Sequence, residues 1–221
     1  MVRPRVHKDC LIFLSILLLA SAFSLKISNM LAALCGCGAV WCLYFFRMPN
    51  ISIYDNESVI ISPASGSVVA VQEMSPPASF GMGEEFRTKV SIFLSVFDVH
   101  VNYIPVLGTI RDIHYEEGHF FHAGKDRASE HNEKNIIIID TPCGDSVAVV
   151  QIAGLLARRI RCDVRKGDAV STGQYYGLIR FGSRVEIFLP KGVKAVVDVG
   201  EKVCAGKTVL TKLDDSHLRK A

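Results

Sequence analysis

Paired cysteine spacing, long charge runs and helical periodicity are all scarce in this chain. Its seven cysteines, Cys10, Cys35, Cys37, Cys42, Cys143, Cys162 and Cys204, are odd in number and include no C-x-x-C pair. That argues against a disulfide framework and a zinc site, and it fits a reducing compartment for the globular part. The net charge is only +3, so bulk charge gives no argument for a nucleic-acid partner. What the chain has in excess is apolar residues: 49% of its 221 residues are hydrophobic, and mean hydropathy is +0.28. The length allows one ordinary domain plus a short extra segment.

The apolar excess sits mostly in the first 46 residues. From Leu11 to Phe46 the only charged residue is Lys26, which divides the stretch into Leu11–Leu25 and Ile27–Phe46. Each piece is near or a little below the roughly 20 residues that a spanning helix needs. Arg3, Arg5, His7 and Lys8 precede the first piece and Arg47 follows the second. The pattern predicts a transmembrane helical hairpin with Lys26 at its far tip, and with the N-terminus and the following domain in the cytoplasm. Trp41, Tyr44, Phe45 and Phe46 cluster where the second piece leaves the membrane, as an aromatic belt does. A secretory signal with Ala20-Ser21-Ala22 is the rival reading, and the second apolar piece counts against it. Cys35-Gly36-Cys37 reads as small residues that let two helices pack closely.

From Ile51 onward the pattern changes to short β-branched runs bounded by Gly, Pro and Asp. Strands are expected at Ser58–Ile61, Ser67–Val71, Lys89–Leu94, Asn135–Ile139, Ser146–Ile152, Val185–Leu189 and Val193–Val199. Lys125–Lys134 reads as an exposed loop or a short helix. Met74–Glu85, with two prolines and two glycines, reads as a mobile loop whose Met74, Phe80 and Met82 could touch lipid or substrate. One frame repeats: Gly167-x-x-Val170-x-x-Gly173 recurs as Gly200-x-x-Val203-x-x-Gly206, with Asp168 and Glu201 after the first glycines. It resembles the turns of biotinyl/lipoyl-type barrel-sandwich domains. The expected fold is therefore mainly β with minor α: a duplicated barrel-sandwich domain over 48–221, after a membrane anchor over 1–47.

The segment around Gly182-Ser183 carries the most chemistry. It lies between two apolar, strand-like runs, Gly177–Phe181 and Val185–Leu189. A glycine there allows a bend that brings a serine hydroxyl onto the preceding carbonyl. Such a serine can attack its own peptide bond to give an ester, and elimination from the ester would leave a pyruvoyl group. On these residues alone an ordinary turn is the better reading.

The wider setting resembles the short bacterial phosphatidylserine decarboxylases. Arg180-Phe-Gly-Ser-Arg-Val-Glu-Ile-Phe-Leu-Pro190 is similar to their self-cleavage region. In the same order come Phe45-Phe-Arg-Met-Pro49, Ser62-Pro-Ala-Ser-Gly66, Phe93-Leu-Ser-Val-Phe-Asp98-Val-His100-Val-Asn102, Ser129-Glu-His-Asn-Glu133 and Gln151-Ile-Ala-Gly-Leu-Leu-Ala-Arg158-Arg159-Ile160. The resemblance covers roughly residues 45 to 210 and extends to archaeal relatives acting on archaetidylserine. It implies cleavage into a beta chain, 1–182, and an alpha chain, 183–221. The former Ser183 becomes a pyruvoyl cofactor that forms a Schiff base with the serine amine of phosphatidylserine, so that loss of CO2 yields phosphatidylethanolamine. No separate cofactor and no metal is required. The implied setting is the cell (inner) membrane, with a cytoplasmic catalytic domain, the lipid substrate and the two cleaved chains as partners, and room for a homo-oligomer.

A proton donor is needed, and His100 is the candidate. If Ile92–Val101 is one strand, Asp98, His100 and Asn102 share a face, with Asp98 placed to orient the imidazole. Arg158 and Arg159 could bind the substrate phosphate or carboxylate, or could simply pair with acids. His114, His119 and His122 lack distinctive ligand spacing and read as solvated. Ser65 stands where the resemblance expects an aspartate implicated in self-processing, and Tyr103 stands where some larger relatives have a second histidine. Slow maturation, or an inactive lipid-binding or adaptor protein with a lipoyl-like sandwich, is therefore the alternative. A biotin or lipoyl carrier using Lys191 or Lys194 lacks the flanking methionines.

Overall fold

A computed structural model describes residues 6–49, 58–121, 131–154, 159–180 and 182–213. The chain divides into two units, Met1–Asn50 and Ile51–Ala221.

The first unit is a helical hairpin, α1 (Cys10–Ser24) and α2 (Asn29–Phe45). Small residues bring the helices together. Ser21 Oγ donates to Ala32 O at 2.8 Å, and the Sγ atoms of Cys10 and Cys42 meet at 3.5 Å. Phe13 stacks on Phe46 with centroids 5.7 Å apart, and His7 N–H closes the open end on Phe46 O at 2.8 Å. Outward-facing residues are apolar: Leu19 is 72% exposed and Met30 83%. The helices are shorter than the expected transmembrane hairpin requires. The helices have 15 and 17 residues, and a rise of about 1.5 Å per residue makes both shorter than a bilayer core of about 30 Å. No helix among the described residues is long and apolar enough to cross a membrane.

The second unit is mainly β. Its strands are β1 (Val59–Ile61), β2 (Gly66–Met74), β3 (Arg87–Leu94), β4 (Val101–Tyr103), β5 (Gly108–Glu116), β6 (Lys134–Asp140), β7 (Ser146–Ile152), β8 (Ile160–Cys162), β9 (Ala169–Val170), β10 (Tyr175–Ile179), β11 (Ser183–Phe188), β12 (Lys202–Val203) and β13 (Val209–Lys212). Eight of them form one sheet in the order β12-β2-β3-β11-β7-β6-β5-β9. A smaller sheet runs β4-β10-β8, and β1 pairs with β13. The core between them is built from β-branched residues, among them Ile92, Ile137, Val149, Val185 and Ile187.

The large sheet is a palindrome about its β11–β7 centre. Both β2–β3 and β5–β6 are antiparallel, and each carries an irregularity near its start, at Val68/Ala70 and at Ile110/Asp112. The repeated glycine frame caps each half in the same way. Gly167 N–H donates to Ile110 O and Gly173 N–H to Ile104 O, while Gly200 N–H donates to Val68 O and Gly206 N–H to Ser62 O. Val170 pairs with Gly108, and Val203 with Gly66. Asp168 and Glu201 do the same local task, accepting the N–H groups of Arg165 and Asp198.

Two expected elements away from Ser183 differ. Val193–Val199 is not a strand: Val193 O is taken by Thr88 Oγ1 at 2.7 Å, Val196 N–H goes to Leu210 O at 2.8 Å, and Val196 and Val199 face solvent. The Met74–Glu85 segment is better anchored than a mobile loop. Phe80 and Met82 are buried against Ile136, Ile138, Ala148, Val150 and Phe188, with Phe80 edge-on to Phe188 at 5.6 Å. Part of Lys125–Lys134 lies outside the described residues.

Gly66 and Gly108 hold the two halves by close approach. A Cβ would lie 2.2 Å from Phe93 O at Gly66 and 2.3 Å from Asp140 O at Gly108. Gly66→Ala and Gly108→Ala should each lower the unfolding free energy in urea by about 3 kcal/mol, the upper end of overpacking costs. A loss below about 1 kcal/mol at either site would mean that the ladder yields there without strain.

Candidate functional site

Strand β11 alternates. Ser183, Val185 and Ile187 face the inner core, while Arg184, Glu186 and Phe188 face the other way. Ser183 is wholly buried, and its Oγ has no hydrogen-bond partner among the described residues. It stands opposite Leu94 at the start of the ladder with β3. Gly182, just before it, has φ 72°, a conformation that other residues adopt only with strain.

His100 meets this bend. It is wholly buried, and its Nε2 accepts Gly182 N–H at 3.1 Å. Its Nδ1 lies 3.0 Å from Asp98 O. A carbonyl can only accept and a backbone N–H can only donate, so these partners assign the proton to Nδ1 and the lone pair to Nε2. The imidazole is neutral in this arrangement, with its basic nitrogen one residue from the Gly182–Ser183 bond.

The expected continuous strand over Ile92–Val101 is not there. Strand β3 ends at Leu94 and β4 starts at Val101. The Asp98 carboxylate accepts Ser95 N–H at 2.8 Å, and Asp98 N–H returns to Ser95 O at 2.9 Å. An aspartate that bonds the backbone locally makes a turn and stops a strand. Asp98 therefore touches His100 through its main-chain carbonyl, with its carboxylate committed to the turn. Ser65 Oγ accepts Ala205 N–H at 3.0 Å, and thereby ties the Ser62–Gly66 segment to the second glycine frame.

The palindrome supplies an internal comparison. Arg184 faces Phe93 as Ser146 faces Asp140, so Gly144, φ 80°, occupies the place of Gly182 in the other half. The residue after Gly144 is Asp145. Its carboxylate takes Arg87 Nη1 at 3.0 Å, Ser146 N–H at 2.7 Å and Lys191 N–H at 2.9 Å. One bend is thus fully satisfied, and the other presents a buried hydroxyl with no partner among the described residues.

Arg159 is exposed and close enough to Tyr115 to oppose the burial and the Glu133 contact that push its phenol up to about 12. Arg158 and His122 lie outside the described residues. His114 sits 3.4 Å from Asp112, and no metal-holding group of side chains forms among the described residues. Two buried polar groups went unread in the sequence. One is Asn135, Gln151 and Asn102, linked side chain to side chain on the inner face. The other is Lys89, Ser91, Arg184 and Glu186 on the opposite face, where Ser91 Oγ donates to Glu186 Oε1 at 3.0 Å. Period-two placement of charged residues inside the apolar runs of β3 and β11 was the available signal for the second. A cavity of about 610 Å³ lined by Lys89, Glu186, Phe188 and Phe80 lies on that outer face, away from Ser183.

The family model for phosphatidylserine decarboxylase matches residues 39–211. Among curated proteins, the chain is 47% identical over 182 residues to the phosphatidylserine decarboxylase proenzyme of Cereibacter sphaeroides, covering 82% of this chain and 78% of that protein. It is 48% identical over 174 residues to the proenzyme of the same name from Ruegeria pomeroyi, covering 79% and 80%. It is 40% identical over 205 residues to that of Rickettsia akari, covering 93% and 89%. With a match over most of its length, and with the matched region spanning the Gly182–Ser183 bend and its histidine, the chain belongs to the phosphatidylserine decarboxylase family.

Proposed function

We propose that this chain is the proenzyme of a phosphatidylserine decarboxylase that cuts itself between Gly182 and Ser183. The observation that carries the reading is the buried, unpartnered Ser183 hydroxyl beside a positive-φ glycine whose N–H is held by a neutral imidazole. Ser183 Oγ adds to the Gly182 carbonyl carbon as His100 Nε2 gives up the Gly182 N–H and takes the serine proton. The C–N bond then breaks, the nitrogen gains a proton, and an ester joins the two segments. Loss of the Ser183 α-proton expels the Gly182 carboxylate from Cβ. Water then releases the nitrogen as ammonia, leaving a pyruvoyl group at the head of chain 183–221. The bend fits this group, because a side chain with no hydrogen bond to break is the one whose chemistry can change without unpairing a neighbour.

Once formed at the head of chain 183–221, a pyruvoyl group would supply a carbonyl electrophile for the serine amine and an electron sink for loss of CO2. The chain's residues do the rest. His100 holds a proton at Nε2 for the carbon that loses CO2. The Asp98 carbonyl keeps Nδ1–H fixed, so that the proton is exchanged only at Nε2. Arg159, with Arg158, is the candidate for the phosphate or carboxylate of the head group. The palindromic sheet with its paired glycine frames fits a duplicated, lipoyl-like sandwich. The hairpin's apolar outer face suits seating in the interface of the cell (inner) membrane, with the catalytic domain on the cytoplasmic side.

Intact mass under denaturing conditions tests the reading first. Purified protein should give a small chain of about 4 kDa in proportion to the 24.3 kDa whole, and Ser183→Ala should stay in one piece. A single uncut chain from the unmutated protein would leave a lipid-binding or adaptor protein instead. His100→Ala should slow the cut by about 10²–10⁴-fold, the usual range for a lost general base, with added imidazole recovering part of it. Removing residues 1–46 should lower turnover on phosphatidylserine vesicles while leaving turnover of a short-chain, monomeric substrate unchanged. Equal loss on both substrates would remove the membrane role of the hairpin.

A further inference from the structure

A second polar atom on the inner face lacks a partner among the described residues. It is Asn102 Nδ2, in a wholly buried side chain two residues after His100. Its orientation is set by a relay of amides. Asn135 Nδ2 donates to Gln151 Oε1 at 3.0 Å. Gln151 Nε2 faces Arg161 O at 3.5 Å and donates to Asn102 Oδ1 at 2.8 Å. A backbone carbonyl can only accept, so the Gln151 amide cannot be turned round. Asn102 must then give its oxygen to Gln151 and turn its NH₂ away. Glycine at 177 makes room for this, since a Cβ there would come within 3.0 Å of Gln151 Nε2.

Strand register brings the relay toward the bend. Gln151 stands opposite Val185, and Ser183 is two residues from Val185 on the same inner face. Diagonal neighbours of this kind are about 7–8 Å apart, within reach of a side chain that extends from one of them. A buried NH₂ without an acceptor costs free energy. Here three side chains are arranged to keep it that way, on the inner face where the Ser183 hydroxyl also has no partner among the described residues.

We propose that Asn102 Nδ2 is the hydrogen-bond donor for the Gly182 carbonyl oxygen as that oxygen becomes an oxyanion. This inference rests on the self-cleavage reading. When Ser183 Oγ bonds to the carbonyl carbon, its proton passes to His100 Nε2 and the carbonyl π pair moves onto oxygen. Asn102 receives that charge without moving, because Gln151 and Asn135 hold it. When the oxyanion collapses, the C–N bond breaks, the nitrogen takes the proton from His100, and the ester remains. Gln151 and Asn135 are positioning residues.

The test follows cleavage in the full chain by timed intact mass, with and without hydroxylamine, which cuts any ester that accumulates. Asn102→Asp keeps the shape and the acceptor for Gln151 but has no N–H. Gln151→Glu leaves Asn102 in place but cannot donate to its oxygen, so the Asn102 amide reverses and aims oxygen at the bend. Each should slow cleavage by about 100-fold or more, the effect of losing an oxyanion donor. Hydroxylamine should release no small chain from either, because the ester does not form. Asn102→Ser, which retains a donor, should recover part of the rate. If Asn102→Asp fails to fold, Gln151→Glu decides the matter alone. Wild-type cleavage in a folded variant overturns the proposal, and so does hydroxylamine release from an uncut one. An uncut unmutated protein would instead sink the self-cleavage reading itself.

Discussion

Strand β11 has a ladder partner along both edges, β3 on one side and β7 on the other. A strand paired on both edges cannot slide or twist without breaking two sets of hydrogen bonds at once. This double pairing fixes where Ser183 begins, and it leaves the preceding residue to make the turn. The conformation of Gly182, the burial of the hydroxyl and the contact with His100 all follow from a strand that must start there and nowhere else. The two halves of the large sheet meet at the same place, so the best-supported part of the fold is also where the chemistry is proposed.

Much of this was legible in the chain. The repeated Gly-x-x-Val-x-x-Gly frame marks two equivalent turns in the sequence itself, because only glycine adopts those backbone angles without strain and only an inward valine explains the spacing. The strand at Ser146–Ile152 was read to the residue. The reading failed where polar side chains bond the backbone locally. Asp98 ended a strand that alternation alone would continue through His100, since pattern reading counts apolar positions and does not see a carboxylate turned back onto Ser95 N–H. The run Val193–Val199 failed for a related reason: its backbone groups are taken by Thr88 and Leu210, and β-branched composition cannot show that partners come from elsewhere in the chain. The helical hairpin was legible, but neither described helix is long and apolar enough to cross a membrane, because apolar content continues through the Lys26 turn while helix does not.

Buried charge separates the two faces of β11. On the outer face Arg184, Glu186 and Lys89 lie close together with little exposure. Burying ions is costly unless they are paired, and here opposite charges meet. On the inner face the buried relay is of uncharged amides, two asparagines and a glutamine, and the bend is met by an imidazole. A neutral setting lets charge that develops during a reaction act on fixed dipoles rather than on mobile counterions. The comparison with Gly144 points the same way, since Asp145 there is tied down by Arg87 and two backbone N–H groups.

Strands β11, β12 and β13 all follow position 182, and each pairs with a strand that precedes it: β11 with β3 and β7, β12 with β2, β13 with β1. A break before Ser183 severs one covalent link and no ladder. An internal strand would then become a subunit boundary, with the shape complementarity of a protein interior and no encounter step to assemble it. On the proposed cut the two products would be born already associated, and the shorter one would take its structure from neighbours it no longer shares a backbone with.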